Sequence, residues 1–327
     1  MDYNKVFNVL VEETKNYLFK NNLKAMVLGI SGGIDSTVVA AICHEVSKQT
    51  GIPLIGRSLP IKNKKDEFDV SKLVGEAFCD EFNVKRLDLS YKAALVDAIL
   101  DSKSYPQLSI HDLMEYHDIV ALEEWKGRTP IANGNLQARC RMQHLYDIAS
   151  LHKGLVMSTD NQTEYQLGFW TIHGDVGDFD PIQDLWKTEV YKLAEYIFYK
   201  YDSEMRKEGK YYTIPNDLSA KMSSAIKASI ALTPTDGLGI SNSDLDQIGA
   251  KSYNEVDDIL RTLTSCESSE ETYMLAGNVV HIQTNKKSDL YKKYGEEVVN
   301  KVWDRHLASE FKRKKAPIYI PREKYAK

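Results

Sequence analysis

Seven consecutive residues, Ser31-Gly32-Gly33-Ile34-Asp35-Ser36-Thr37, bring together hydroxyls, bare amides and one carboxylate in a pattern suited to phosphate chemistry. Two adjacent glycines allow backbone dihedrals closed to other residues and let an anion come close to the amides. The apolar run Met26 to Ile30 ahead of them reads as a buried strand, and Val38, Val39, Ala41 and Ile42 behind them as the inner face of a helix. The loop therefore meets a helix N-terminus, whose unpaired N–H groups and positive dipole end attract a phosphate. Neither common phosphate loop fits. The lysine of G-x-x-x-x-G-K-[ST] is missing, and a G-x-G-x-x-G count from Gly29 puts Ser31 and Ile34 at its second and third glycines. Asp35 instead sets a carboxylate beside the phosphates, which it would repel unless a cation lay between, so it predicts Mg²⁺. A glycine turn capped by Asp35 accounts for the acidic residue but not for the whole string.

A second constellation runs from Asn135 to Lys187. Asn135, Gln137, Ala138, Arg139, Arg141 and Met142 form N-x-Q-A-R-x-R-M at the start of a helix. Arginines two apart point to different sides of a helix, so they have different partners, and one of them can be purely structural. Then follow Thr159-Asp160-Asn161-x-x-Glu164, Gly168-Phe169-x-Thr171, Gly174-Asp175-x-Gly177-Asp178, Pro181 and Lys187. A polar surface loop could have this composition. Against that, the acidic residues Asp160, Glu164, Asp175, Asp178 and Asp180, gathered after a strand end, need a charge partner.

The elements that would position these residues alternate. Met1 to Lys20 is an amphipathic helix, 26–30 a strand, and the segment to Gln49 a helix. Leu54 to Leu59 reads as the second strand, Asp66 to Phe82 as a helix, Val84 to Leu89 as the third strand and Tyr91 to Leu100 as a helix. A long connection with Pro106, Gly127, Pro130 and Gly134 as breakers carries a helix over Ile110 to Glu124. Leu136 to Ser150 is a helix, Leu155 to Met157 a short strand, and Glu189 to Lys200 a helix. The remainder is mostly helical, with Ser203 to Ala231, Leu245 to Gly249, Glu255 to Leu263 and Ser265 to Leu307, and with a loop at Pro234 to Gly239. Strands alternating with helices imply α/β architecture, a doubly wound parallel sheet flanked by helices, with the ligand beyond the carboxyl ends of the strands.

Composition narrows the class. The net charge of -5 over 327 residues argues against a general nucleic-acid binder, so an anionic substrate must be held by local positive groups. No apolar run is long enough to span a bilayer, and the charged, amphipathic first helix is unlike a signal peptide. Cys43, Cys79, Cys140 and Cys266 form no C-x-x-C pair, which fits a reducing cytoplasmic setting better than a disulfide framework. His44-Glu45 begins like a zinc-protease helix, but Lys48 replaces the second histidine.

The loop resembles that of the ATP pyrophosphatase superfamily, whose members split ATP between its α and β phosphates. S-G-G-I-D-S-T, N-x-Q-A-R-x-R-M, T-D-N-x-x-E-x-x-x-G-F-x-T, G-D-x-G-D and P-x-x-x-L-x-K together are similar to NAD synthetases, enzymes that amidate deamido-NAD (nicotinic acid adenine dinucleotide). Pro234-Thr235-x-Gly237-Leu238, Ser252 to Asp257 and the pair Lys312-Arg313 extend the match over most of the chain. The resemblance implies an adenine nucleotide alpha hydrolase-like fold in a single domain, 1–327, with helical insertions at about 102–133, 203–231 and 265–307. It implies that Gly29, Ile30, Ser31, Gly32, Gly33, Ile34, Asp35 and Ser36, with Thr159, Lys187 and Thr235, bind ATP. Asp35 and Glu164 would hold Mg²⁺, Arg139, Asp178 and Lys312 would contact the dinucleotide, and Asp175 would sit beside the ammonium site. It also implies a homodimer that builds the dinucleotide site across its interface. Two positions depart from the pattern. The family's lysine before its Tyr-Gly-Asp run is Ile172 here, with His173 in place of the tyrosine, and its histidine ahead of the basic pair is Phe311. Both touch dinucleotide contacts and leave the ATP side intact.

The chemistry expected is an ATP-dependent amidation. AMP transfer turns a carboxylate into an acyl adenylate and ammonia then displaces AMP, with Asp175 as proton acceptor and Lys187 as counter-charge to the leaving pyrophosphate. The stretch ahead of the first strand is short for a glutamine-hydrolysing domain, so free ammonia, or ammonia from a separate donor protein, is the expected nitrogen source. Other ATP pyrophosphatases compete with this reading, a GMP synthetase-like amidase or a tRNA thiolation enzyme, as does a nucleotide-binding module without turnover. Glu164, Asp175 and Lys187 together separate them, because a binder has no use for a metal carboxylate, a proton acceptor and a leaving-group cation.

Overall fold

The computed structural model of the chain describes residues 1–61, 63–100, 129–207, 218–234, 243–267 and 286–313. Strands β1 (Met26–Gly29), β2 (Leu54–Ser58), β3 (Glu81–Val84) and β4 (Leu155–Val156) form one parallel sheet in the order β3-β2-β1-β4. Met26 of β1 stands opposite Leu54 on one side and Leu155 on the other. Side chains alternate across a strand, and the alternation here feeds two cores. Met26, Leu28, Leu54 and Leu155 pack under helices α1 (Tyr3–Lys20), α2 (Ile34–Thr50), α3 (Lys65–Phe78), α7 (Lys187–Lys207) and α8 (Leu218–Ala231). Val27, Ile55 and Val156 point the other way, to α4 (Asp88–Leu100) and α5 (Pro130–Leu151). This is the doubly wound α/β arrangement expected. Helix α2 is buried on nearly all sides, as its run of Val38 to Cys43 requires. A third apolar cluster joins α6 (Gln162–Leu167), α9 (Asp244–Ile248), α10 (Tyr253–Glu267) and α11 (Glu296–Ala308), with α12 (Glu310–Arg313) following.

The chain winds outward from β1 through β2 to β3 and then returns to the other side of β1 as β4. That reversal opens a crevice beyond the carboxyl ends of β1 and β4. The loop at Ser31 and the segment after Met157 flank it.

The elements differ from expectation in two places. Strand β3 lies at Glu81–Val84, not Val84 to Leu89, because α3 stops at Phe78. Asp80 fixes the break: its carboxylate accepts from Leu54 N at 2.7 Å and Ser47 Oγ at 2.6 Å, contacts that no local pattern reveals. Helix α4 then starts at Asp88, inside the expected strand. Helix α5 begins at Pro130, well before Leu136. Proline in a first turn forfeits no helical hydrogen bond, and Thr129 Oγ1 caps the Ala132 amide at 3.1 Å. The helix expected over Ile110 to Glu124 and most of the loop expected at Pro234 to Gly239 lie outside the described residues.

Candidate active site

The glycine loop is tied down at both ends. Gly32 has φ +88, and a Cβ there would lie 2.7 Å from Glu67 O and 2.8 Å from Ser71 N, so the loop presses directly on α3. Gly33 is the extended N-cap of α2; its carbonyl accepts from Ser36 Oγ at 3.0 Å and Thr37 Oγ1 at 2.9 Å. Ser31 Oγ and Ser36 Oγ are 2.9 Å apart. Both hydroxyls and the first amides of α2 thus converge where an anion would rest. Thr37 is held from behind by Ser229 of α8 at 2.7 Å.

Asp35, in the first turn of α2, meets residues brought by the return of the chain. Lys187 Nζ donates to Asp35 Oδ2 at 2.5 Å and to Glu164 Oε1 at 2.9 Å, with the lysine side chain 2% exposed. Asn161 locks the group: its Nδ2 donates to Asp35 Oδ1 at 2.9 Å, and its Oδ1 accepts from Glu164 N at 3.1 Å in a capping box that opens α6. The backbone of Lys187 is fixed as well. Its N–H donates to Thr163 Oγ1 at 2.8 Å, and that hydroxyl donates to Asp257 of α10 at 2.5 Å. Burial lowers the Lys187 pKa, but Asp35 and Glu164 outweigh it and hold the ammonium well above its usual value. Burial pushes the Glu164 carboxyl up to about 7 against the pull of Lys187.

Further along the crevice lies a group of carboxylates. Ser158 Oγ donates to Asp160 Oδ2 at 2.8 Å and accepts from Gly177 N at 3.1 Å. Burial raises Asp160 well above the usual carboxylate range, and Asp175 and Asp180 add to the shift. Burial also raises Asp180, to about 7, and Asp175, to about 6, although the amide of Thr171, donating to Asp175 at 2.7 Å, opposes the latter shift. Asp175 opens onto the crevice and is solvent-exposed at its edge, so water reaches its carboxylate. Arg141, Arg305 and Lys312 supply positive charge around the same cavity, which measures about 610 Å³. Arg141 donates to Leu59 O at 3.0 Å, Arg305 lies 3.6 Å over the Phe169 ring, and Lys312 donates to Gly168 O at 2.6 Å and Trp170 O at 2.5 Å.

The cavity wall gathers Gly29, Ile30, Ser31, Gly33, Ile34, Asp35, Ser36, Thr159, Glu164, Asp175, Lys187 and Lys312. Gly32 shapes the loop without facing the cavity. Arg139 and Asp178 are not among the lining residues. Arg139 donates to Ile172 O at 3.1 Å, and Asp178 accepts from Val156 N at 2.9 Å and Tyr146 Oη at 3.0 Å. Thr235 lies outside the described residues.

A sequence model of the NAD synthase family matches residues 6–316. The chain belongs to that family. Curated NH(3)-dependent NAD(+) synthetases resemble it. One from Campylobacter jejuni is 31% identical over 198 residues, 60% of this chain and 69% of the relative. One from Thermoplasma acidophilum is 32% identical over 241 residues, 72% and 76% of the two chains. Among solved structures, an NMN synthetase from Francisella tularensis superposes with a TM-score of 0.65 at 21% identity, covering 98% of this chain and 99% of that one. An NAD+ synthetase from Burkholderia pseudomallei does so with 0.52 at 20% identity, covering 96% and 90%. As a member of the NAD synthase family the chain is an enzyme, a ligase of NAD biosynthesis. No helix among the described residues is long and apolar enough to cross a membrane.

The family resemblance implies a divalent ion, and the residues present can be tested for their fit to one. Asp35 and Glu164 aim oxygens at one point, and two carboxylates suit Mg²⁺, which keeps several waters and takes further oxygens from phosphates. Among the described residues no group of three or more His, Cys, Asp or Glu is placed so as to hold a metal ion, so a complete protein cage is absent there and the nucleotide would supply ligands. Sequence reasoning did not assign roles to Asn161, Asp160 or Asp180. The N-x-x-E spacing of Asn161 and Glu164 was a local signal for the cap; Asp160 and Asp180 carry no pattern that separates them from loop residues.

Proposed function

We propose that this protein amidates deamido-NAD to NAD with ATP and ammonia through an acyl adenylate, releasing AMP and pyrophosphate. The observation that carries the reading is the convergence of Asp35, Glu164 and Lys187 on the glycine loop. The nicotinate carboxylate is a poor electrophile until adenylated, and adenylation depends on stabilising the departing pyrophosphate. Loop amides and the Ser31 and Ser36 hydroxyls bind its oxygens, and Lys187 counters the charge that develops. Mg²⁺, held by Asp35 and Glu164, would neutralise phosphate charge and let two anions approach. Asp175 then faces ammonium. With its carboxyl pushed up to about 6, it is anionic at neutral pH and close enough in affinity to take the proton that ammonium must lose.

A thiolation enzyme is disfavoured, because burial raises Cys43, Cys79 and Cys140 above the ordinary thiol range and none is poised as a thiolate. A second amidation reading has a specific support. Ile172, at the position of the family's lysine, offers only its carbonyl, to Arg139, and Phe311 is exposed where a histidine would stand. Loss of a lysine and a histidine attached to dinucleotide binding, with likeness along the whole chain to a protein described as an NMN synthetase, favours nicotinate mononucleotide as an alternative acceptor. The test is turnover of purified protein with ATP, Mg²⁺ and ammonium on each acid. NAD, AMP and pyrophosphate from deamido-NAD are expected; turnover of the mononucleotide alone would shift the reading to the shorter substrate, and ADP as product would contradict the loop assignment.

A further inference from the structure

Lys187 stands where a divalent ion would have to stand. Its Nζ is 2.5 Å from Asp35 Oδ2 and 2.9 Å from Glu164 Oε1, deep in the protein. Magnesium requires oxygens at about 2.0–2.1 Å, so an ion bound to both of these oxygens would overlap the ammonium that already touches them. The two cations are alternatives for one seat. Asn161 cannot relieve the conflict, since its amide nitrogen is committed to Asp35 and its oxygen to the Glu164 amide. On another side the ammonium faces the Tyr253 ring, 5.7 Å from its centroid. A divalent ion entering alone would take both carboxylates from a buried lysine, the costly way to break a buried pair. A triphosphate alters the balance. Its oxygens give Nζ a new anionic partner at the loop and supply the metal ligands that two carboxylates lack. The lysine backbone, pinned through Thr163 and Asp257, need not move for this exchange.

We propose that Lys187 is a resident cation that keeps Mg²⁺ out of the Asp35–Glu164 pair until the nucleotide arrives, so that metal is taken up with the triphosphate and not before it. The inference rests on reading Asp35 and Glu164 as the metal-holding pair. Lys187 thereby orders binding in addition to countering pyrophosphate charge.

Mn²⁺ binding to the full chain, followed by water-proton relaxation enhancement, tests the order of uptake without turnover. Wild-type protein is expected to leave Mn²⁺ free in the absence of nucleotide and to bind it when a non-cleavable α,β-methylene ATP analogue is added. Lys187→Met should bind Mn²⁺ without nucleotide at least tenfold more tightly than wild type, and Lys187→Arg, which restores the cation, should exclude it again. Wild-type protein binding Mn²⁺ without nucleotide as tightly as with it would overturn the proposal even if Lys187→Met does not fold. Absence of bound Mn²⁺ in every form, analogue included, would remove the metal role of Asp35 and Glu164 and this inference with it.

Discussion

Asp180 accepts the Ile182 amide at 3.0 Å, and burial pushes its carboxyl up to about 7. A carboxyl with a folded pKa above its unfolded value binds protons more tightly in the native state, so its contribution favours folding at low pH and is lost as pH rises through about 7. Asp160, Glu164 and Asp175 are shifted in the same direction. The nucleotide-free protein therefore carries a charge burden in its site that grows from pH 5 to pH 8, a strain typical of functional positions. Asp180→Asn keeps an acceptor for Ile182 and removes one charge. Thermal unfolding should find it more stable than wild type at pH 8, by about 1–2 kcal/mol after discounting the ~1.4 kcal/mol per pKa unit for solvent screening, with little difference at pH 5. Equal stability at pH 8 would mean that Asp180 is better solvated than its surroundings imply. For Asp35 the expected effect is on chemistry. Asp35→Ala removes one metal oxygen and one lysine partner together, and pyrophosphate release should fall by at least a hundredfold in a coupled phosphate assay, on the order of the loss seen when a preorganised charge contact is deleted; retained turnover would take Asp35 out of the reacting site.

At the scale of elements, the site depends on two short devices: the positive-φ glycine that lets the loop lie on α3 and the capping box that starts α6. Gly32→Ala would put a Cβ 2.7 Å from the backbone oxygen of Glu67 at a left-handed φ, so the loop must lift. A cost of about 1–3 kcal/mol should appear in calorimetry as ATP affinity reduced tenfold or more, larger than the loss in thermal stability, because lifting the loop separates the amides from the Ser31 and Ser36 hydroxyls. Unchanged affinity would show that α3 yields instead. The loop itself was legible because its hydroxyls, glycines and carboxylate are contiguous, and β1 and α2 because each is an unbroken apolar run. Strand β3 was not. It is a short edge strand with only Phe82 and Val84 turned toward protein, and the end of α3 is set by Asp80 reaching Leu54 and Ser47. The same limit applies within the site. Asp35 and Lys187 each stood out as ATP-site residues, but their direct pairing arises from the chain reversing direction between β1 and β4, and Arg305 over Phe169 joins α11 to the loop after α6. Such contacts are properties of topology, which no spacing encodes.

For the whole molecule, the unresolved tension is between a net charge of -5 and a substrate that is itself anionic. Lys187 is already matched with two carboxylates and Arg57 with Glu81, while Arg141, Arg305 and Lys312, among the described residues, also bring positive charge to the cavity. Arg139 and Asp178 are exposed and do not line that cavity. If they contact substrate, as the family resemblance implies, they must reach it from a second copy of the chain. Helix α5 offers material for such a contact on the side that carries Arg139, with Ile131 57% and Tyr146 37% exposed and Tyr146 tied to Asp178. A homodimer built on this face would add an Arg139 to each site and raise its positive charge without changing the charge of the monomer. Light scattering should then give twice the 37.2 kDa chain mass. Arg139→Ala should raise KM for deamido-NAD about tenfold or more, the scale of a lost charged contact, while leaving KM for ATP nearly unchanged, because the loop end of the site is built within one chain. The pairing with Ile172 O lets the same variant separate two roles. A monomeric wild-type protein, with KM for both substrates unaffected in Arg139→Ala, would reduce Arg139 to a bracket between α5 and the Ile172 turn, and recognition of the dinucleotide would fall to Arg141, Arg305 and Lys312 of a single chain.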